Sequence, residues 1–252
     1  MSLQELYVLP TEEDVFCARF SPGAFSAPGA EQQLLALGHA NGTISILGAA
    51  SGALHHVIAP HDFSAHPTAP PSPGAPAPRP PTLPSTGGLP VTALRWRPEG
   101  AAAGAPFRVS ESTTAARNVL LAAGSDGTLR HIHATSGRVL GAIQEPGAQI
   151  YAIDYRGDAR AFASAGNAKC VNVYDEETRA LTVRMAGGSS VPGYTAAQYA
   201  AAGGGGPAAP GEGAGTGHSS RVFGLAWHPL EGEGSILASG GWDNTVQVWD
   251  TR

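Results

Sequence analysis

The chain has 252 residues, of which 14% are charged, and a formal net charge of −5 at pH 7. That length admits one large all-β domain, and the acidic balance argues against a phosphate-binding face, which needs Lys and Arg in excess. No apolar run approaches the roughly 20 residues that cross a bilayer, and the first fifteen residues show no basic and then apolar secretory pattern.

Residues 6–9 are a short apolar run stopped by Pro10. Residues 15–20 (VFCARF) alternate as a strand does and end in Ser21-Pro22-Gly23, a turn signal. Strands follow over 34–37, 43–47 and 53–58. Asn41-Gly42 makes a hairpin turn between the first two, because both residues tolerate positive φ. Residues 59–90 (including APPSPGAPAPRPPTLP) break the pattern. Proline cannot donate to a ladder and the segment has little to bury, so it reads as an exposed, polyproline-like spacer; a ligand for a proline-recognition domain is the alternative. A second unit runs through 91–96, 119–123, 128–132 and 138–143, with a turn at Ser125-Asp126-Gly127. The third is the most compact: 150–155, 161–164, 170–174 and 180–185. The fourth begins with a strand over 222–227. Its next strand ends in the small residues Ala238, Ser239, Gly240 and Gly241, Asp243-Asn244 turn, and 245–249 alternate again.

First strands start at Val15, Val91, Ile150 and Val222. With insertions removed the unit is roughly 40–45 residues, the period of a four-stranded propeller blade. A sandwich explains short strands but not this repeat, and an outer-membrane barrel lacks its small-residue and Asp turns. Gly217-His218, the small run, Asp243 and Trp249-Asp250 together resemble the WD-repeat family of β-propellers. The expected fold is all-β: a β-propeller of four-stranded antiparallel blades, about four visible, in a single domain over 1–252. Its repeats cover roughly 15–58, 91–143, 150–185 and 218–252, and low-complexity insertions cover roughly 59–90, 99–117 and 186–216. The resemblance implies about seven blades in a closed ring, so a piece of a longer propeller is expected over a four-bladed ring, with residues 6–9 completing the last blade.

The resemblance also implies a hydrogen-bonded set within a blade. An Asp bonds turn amides and an imidazole, the imidazole bonds a hydroxyl, and the hydroxyl takes the indole N–H. In the fourth repeat these positions fall on His218, Ser239, Asp243 and Trp249. The second keeps Asp126 but has Ala122 and Ile132. The third keeps Ser164 and Tyr174 but has Ala168, and the first has Asn41 and Leu47. Apolar packing can replace a polar set without orphaned partners, so these three blades are expected to hold by packing alone.

Cys17 and Cys170 lie in apolar runs and read as buried thiols rather than a disulfide. His55, His56, His61 and His66 gather near Asp62, and His131 and His133 share one strand face, but neither spacing is a zinc pattern. No nucleophile motif or phosphate-cradling glycine loop is present. The reading is non-enzymatic, with no catalytic residue, cofactor or metal. It is a protein-interaction scaffold whose partners are other proteins, with Trp242 a candidate contact. It is intracellular and cytoplasmic by default, with nucleus and cilium open. Residues 237–252 also resemble the box by which some WD-repeat proteins dock on the adaptor of cullin-type ubiquitin ligases, which makes Asp250 and Arg252 candidate contacts. A chromatin or nucleic-acid role would draw on Arg95, Arg97, Arg108, Arg117, Arg130 and Arg138, against the acidic total.

Overall fold

Alternating apolar residues between tight turns become strands in the computed structural model, which describes residues 8, 11–22, 25–27, 30–60, 88–98, 118–186, 189–192, 217–229 and 235–252. The first unit holds β1 (Val15–Phe20), β2 (Phe25–Ala27), β3 (Ala30–Gln32), β4 (Leu34–His39), β5 (Ile44–Gly48) and β6 (Leu54–Ile58). The second holds β7 (Val91–Trp96), β8 (Val119–Gly124), β9 (Thr128–His133) and β10 (Arg138–Gln144). The third holds β11 (Ile150–Tyr155), β12 (Ala161–Gly166), β13 (Val171–Asp175), β14 (Leu181–Ala186) and β15 (Ser189–Pro192). The fourth holds β16 (Val222–Trp227), β17 (Ile236–Gly241) and β18 (Val246–Asp250).

These strands form four antiparallel meander sheets, ordered β1-β4-β5-β6, β7-β8-β9-β10, β11 through β15, and β16-β17-β18. Each sheet is a blade of a β-propeller. The first strands touch in series, β1 with β7, β7 with β11, and β11 with β16. Two elements fall where the sequence gives no strand signal. β2 and β3 pair as a separate hairpin, and β15 adds a fifth strand along β14 at the start of the Gly/Ala-rich insertion. Pro192 stands at the end of that edge strand, a position where sheets accommodate proline. Of residues 6–9, only Val8 is among the described residues.

The cores lie between blades, not within them. Leu34, Ile44, Ile46 and Ile58 meet Leu94, Trp96, Leu120 and Ile132 between blades 1 and 2. Leu121 and Leu129 meet Ile153, Tyr155, Phe162 and Tyr174 between blades 2 and 3. Ala161, Ala163, Val171 and Val173 meet Val222, Leu225, Trp227 and Leu237 between blades 3 and 4. The strand period of two makes this possible. On β8, Leu120 and Ala122 face blade 1, whereas Leu121 and Ala123 face blade 3.

Two backbone features recur and orient the functional ends. Every turn between the second and third strands has the third residue after the strand left-handed: Gly42 (φ 83°), Gly127 (φ 81°), Lys169 (φ 60°) and Asn244 (φ 60°). Every first strand also bulges at its start, with the register shifting across Phe16, Thr92, Tyr151 and Phe223. A bulge re-aims its side chain, so the four blades present these residues at one shared end.

Candidate functional site

In blade 4 the expected set is assembled. Asp243 only accepts, so His218 Nδ1–H donates to its Oδ2 at 2.9 Å. Ser239 Oγ accepts Trp249 Nε1–H at 2.7 Å, which sends the hydroxyl proton to His218 Nε2, also at 2.7 Å. Asp243 takes the Ser219 amide at 2.8 Å, the Thr245 amide at 3.1 Å and the Thr245 hydroxyl at 2.7 Å. Desolvation raises the Asp243 carboxyl. The hydrogen bonds from Thr245, His218 and the Ser219 amide outweigh it and hold the group well below the usual carboxylate range. His218 and Ser239 are buried and fully partnered, so the set fixes one arrangement of the β16–β18 sheet.

Blade 3 corrects the expectation of packing alone. Glu145, buried just after β10, accepts from the hydroxyl of Ser164, from Tyr174 Oη at 2.8 Å and from Asn172 Nδ2 at 3.0 Å. It stands where His218 stands in blade 4, opposite Ser164 and Tyr174 in place of Ser239 and Trp249. No Asp is needed at position 168, because a carboxylate has no N–H to orient. Burial pushes the Glu145 carboxyl up, and the bonds from Ser164, Tyr174 and Asn172 partly offset this. The sequence signal was weak, since Glu145 lies five residues before β11 whereas His218 lies four before β16.

Blade 2 matches the packing reading. Ala122 and Ile132 are fully buried, and Asp126 is a turn cap, taking the Thr128 amide at 2.9 Å and its hydroxyl at 2.5 Å. Blade 1 keeps part of a set: His39 Nε2 meets Ser45 Oγ at 2.8 Å, while Asn41 caps Thr43 as Asp126 caps Thr128.

The arginines of repeat two mostly serve blade junctions. Arg95 pairs with Asp154 at 3.0 Å, and Asp154 Oδ2 also accepts the Trp227 amide at 2.8 Å, which joins blades 2, 3 and 4. Arg130 is buried on the carbonyls of Gly42 (2.9 Å) and Ala59 (3.2 Å). Arg97 lies 3.8 Å from Glu176, which His131 Nε2 meets at 3.1 Å and Tyr155 Oη at 3.4 Å. Arg138 is exposed, and Arg108 and Arg117 lie outside the described residues. The arginines therefore make no continuous basic face among the described residues.

Trp242 sits in the β17–β18 turn with 66% of its surface exposed. It packs on Phe223 with centroids 4.6 Å apart, under the Arg221 guanidinium at 5.8 Å, and its amide donates to the Arg221 carbonyl at 2.9 Å. Asp250, the last residue of β18, and Arg252, just beyond it, bond each other: Arg252 Nε lies 3.0 Å from both carboxylate oxygens. Both are exposed, and that pairing, with the Arg252 amide, draws Asp250 down to about 2. Cys17 and Cys170 are free thiols, each pushed up to about 11, chiefly by burial. No group of three or more His, Cys, Asp or Glu among the described residues could hold a metal. His61, Asp62 and His66 lie outside those residues, while His56 is tied to the Thr135 carbonyl at 3.0 Å. No helix among the described residues is long and apolar enough to cross a membrane.

The blade-4 geometry coincides with a sequence match. The family model for the WD domain, G-beta repeat, covers residues 213–250. The chain carries a WD repeat on a β-propeller fold. Across 36 residues, 14% of the chain, it is 61% identical to WD repeat-containing protein slp1 of Schizosaccharomyces pombe, and that stretch is 7% of slp1. The whole propeller is similar to a chain in the crystal structure of a mitotic checkpoint complex, with a TM-score of 0.55 and 18% identity. That match covers 99% of this chain and 52% of the other, and its likeness is one of fold. The WD repeat thus stands out where the hydrogen-bonded set is complete, and the other three blades keep the architecture with substituted chemistry.

Proposed function

We propose that this chain is a non-enzymatic scaffold that presents the rim and turns of its propeller to protein partners within a larger assembly. The observation that carries this is Trp242, a large aromatic held two-thirds exposed on a turn that the His218–Asp243 pair makes rigid. Tryptophans in such settings are enriched among interface hot spots, and WD-repeat propellers are in general protein-interaction scaffolds. The structural relative belongs to a multiprotein complex, which agrees with that role. Affinity capture with the parent chain and with Trp242→Ala tests it. Partners recovered by the parent should fall by tenfold or more in the variant; identical partner lists would remove Trp242 from the contact.

A second reading has its own observation. Asp250, the last residue of the WD-repeat match, and Arg252, just beyond it, form an exposed ion pair that keeps both charges at the surface. This supports docking on the adaptor of a cullin-type ubiquitin ligase through residues 237–252. Binding of the purified adaptor should be lost in Arg252→Ala, and binding that survives this change would sink the adaptor reading.

A further inference from the structure

The bulged starts of β11 and β16 place Tyr151 and Phe223 side by side. Their rings stack with centroids 4.7 Å apart and planes 10° from parallel. Phe223 in turn packs on Trp242 at 4.6 Å, and Arg221 lies over the indole at 5.8 Å. This is a continuous ladder, Tyr151–Phe223–Trp242, capped by a guanidinium and spanning blades 3 and 4. It is not a core: Phe223 is 40% exposed and Trp242 more so. The rings contribute to neither neighbouring hydrophobic cluster. The bulge supplies the aim, since Thr92 at the matching position of β7 turns back to the carbonyls of Ala123 and Ile150.

The charge at this end of blades 3 and 4 is one-sided. Arg221 is exposed, and so is Lys169 at the left-handed position of the β12–β13 turn. The two carboxylates described at this end are already committed. Glu145 is buried on three donors, and both oxygens of Asp243 are taken by Ser219, His218 and Thr245. An incoming acid therefore meets two cations and no free carboxylate among the described residues here.

Resting on the scaffold reading, we infer that this ladder is the docking site for an acidic linear peptide segment that carries an aromatic or long aliphatic side chain. The apolar side chain would lie on the indole and phenyl rings. Flanking carboxylates would meet Arg221, whose packing on the indole pre-orients a fork suited to a carboxylate and lowers the ordering cost of binding. A stacked aromatic row can also hold single-stranded nucleic acid. Such binding tracks a long phosphate backbone with many cations, whereas this end offers two and the chain carries −5.

Fluorescence anisotropy on the whole chain tests the inference. The probes are labelled peptides of about twelve residues in which Asp and Glu flank one Phe, the same peptide with Phe→Ala, its Lys-for-acid counterpart, and a labelled oligothymidylate. The acidic Phe peptide should bind. The Ala and Lys peptides should bind roughly tenfold or more weakly. Trp242→Ala should cost about tenfold or more, and Trp242→Phe should restore part of it. Arg221→Glu should weaken the acidic peptide and favour the Lys one, and affinity should fall between about 50 and about 500 mM salt. Both positions are exposed, so an unchanged thermal midpoint confirms folded variants. Equal affinity for acidic and basic peptides, indifference to both variants, or preference for the oligonucleotide would each overturn the inference. A partner lost on Trp242→Ala in affinity capture, with no acidic preference here, would overturn the peptide chemistry and leave the scaffold standing.

Discussion

Two residues depart from what their positions call for, and each departure has a measurable consequence. Glu145 is a buried carboxyl with three donors, and desolvation, outweighing those hydrogen bonds and the charge of Arg184, raises its folded pKa above the ordinary value of 4.5. A raised carboxyl stabilises the fold fully below its unfolded pKa and loses that contribution as pH rises through the folded value. Stability should therefore fall as pH rises from about 4.5 in the parent and fall less in Glu145→Gln, whose amide keeps the shape without the charge. Urea midpoints across that range check this; parallel profiles would mean that Glu145 ionises freely. Lys169 is the second case. At φ 60° it occupies the position filled by Gly42 and Gly127 in blades 1 and 2. The left-handed conformation costs a residue with a Cβ about 1–2 kcal/mol, part of which glycine returns as unfolded-state entropy. Lys169→Gly should gain about 1 kcal/mol, read as a raised denaturation midpoint.

Within a blade, the polar set behaves as a unit. Ser239→Ala removes the acceptor of the Trp249 indole N–H and the donor to His218 Nε2 together. Two buried polar atoms are left without partners, and a loss of about 2–4 kcal/mol follows. Ala122, at the same position in blade 2, costs nothing because Ile132 replaces the indole beside it. The same reasoning predicts that Glu145→His alone destabilises blade 3, since Ala168 cannot orient the imidazole. Adding Ala168→Asp should recover stability in a double-mutant cycle, and additive losses would show that the two positions do not communicate. This scale also shows where sequence was readable. Strand starts at 15, 91, 150 and 222 and the blade-4 set could be read because period-two alternation and turn residues act locally. The Glu145 set could not, because its members come from the loop after β10 and from β12 and β13, and its residue type differs from the resembled motif. Nor could the ladder under Trp242: Tyr151 and Phe223 read as ordinary alternating strand residues until a shared bulge turns both the same way.

Across the whole molecule, stability belongs to the junctions. Among the described residues no blade buries a core of its own, and Phe162 shows the consequence. It lies on β12 but packs in the cluster shared with blade 2, stacked on Tyr174 at 5.1 Å and edge-on to His131 of blade 2 at 5.0 Å. His131 in turn reaches back to Glu176 at 3.1 Å, beside β13, so a polar bridge and an aromatic contact cross the same junction. Truncation to Ala should cost about 3–5 kcal/mol, as for other buried phenyl rings. Its location matters more than its size. If blades were independent, faster amide exchange in Phe162→Ala would stay within β11–β14. Because the core is shared, β8 and β9 of blade 2 should lose protection alongside them, while β4 and β5, separated by the next cluster, should lose less. Hydrogen exchange read by mass spectrometry distinguishes the two patterns, and loss confined to blade 3 would mean that each sheet is its own folding unit. The expected pattern also bears on the ladder, because Tyr151 and Phe223 stay stacked only while the blade 3–blade 4 junction, with its own cluster around Leu225 and Trp227, holds its register.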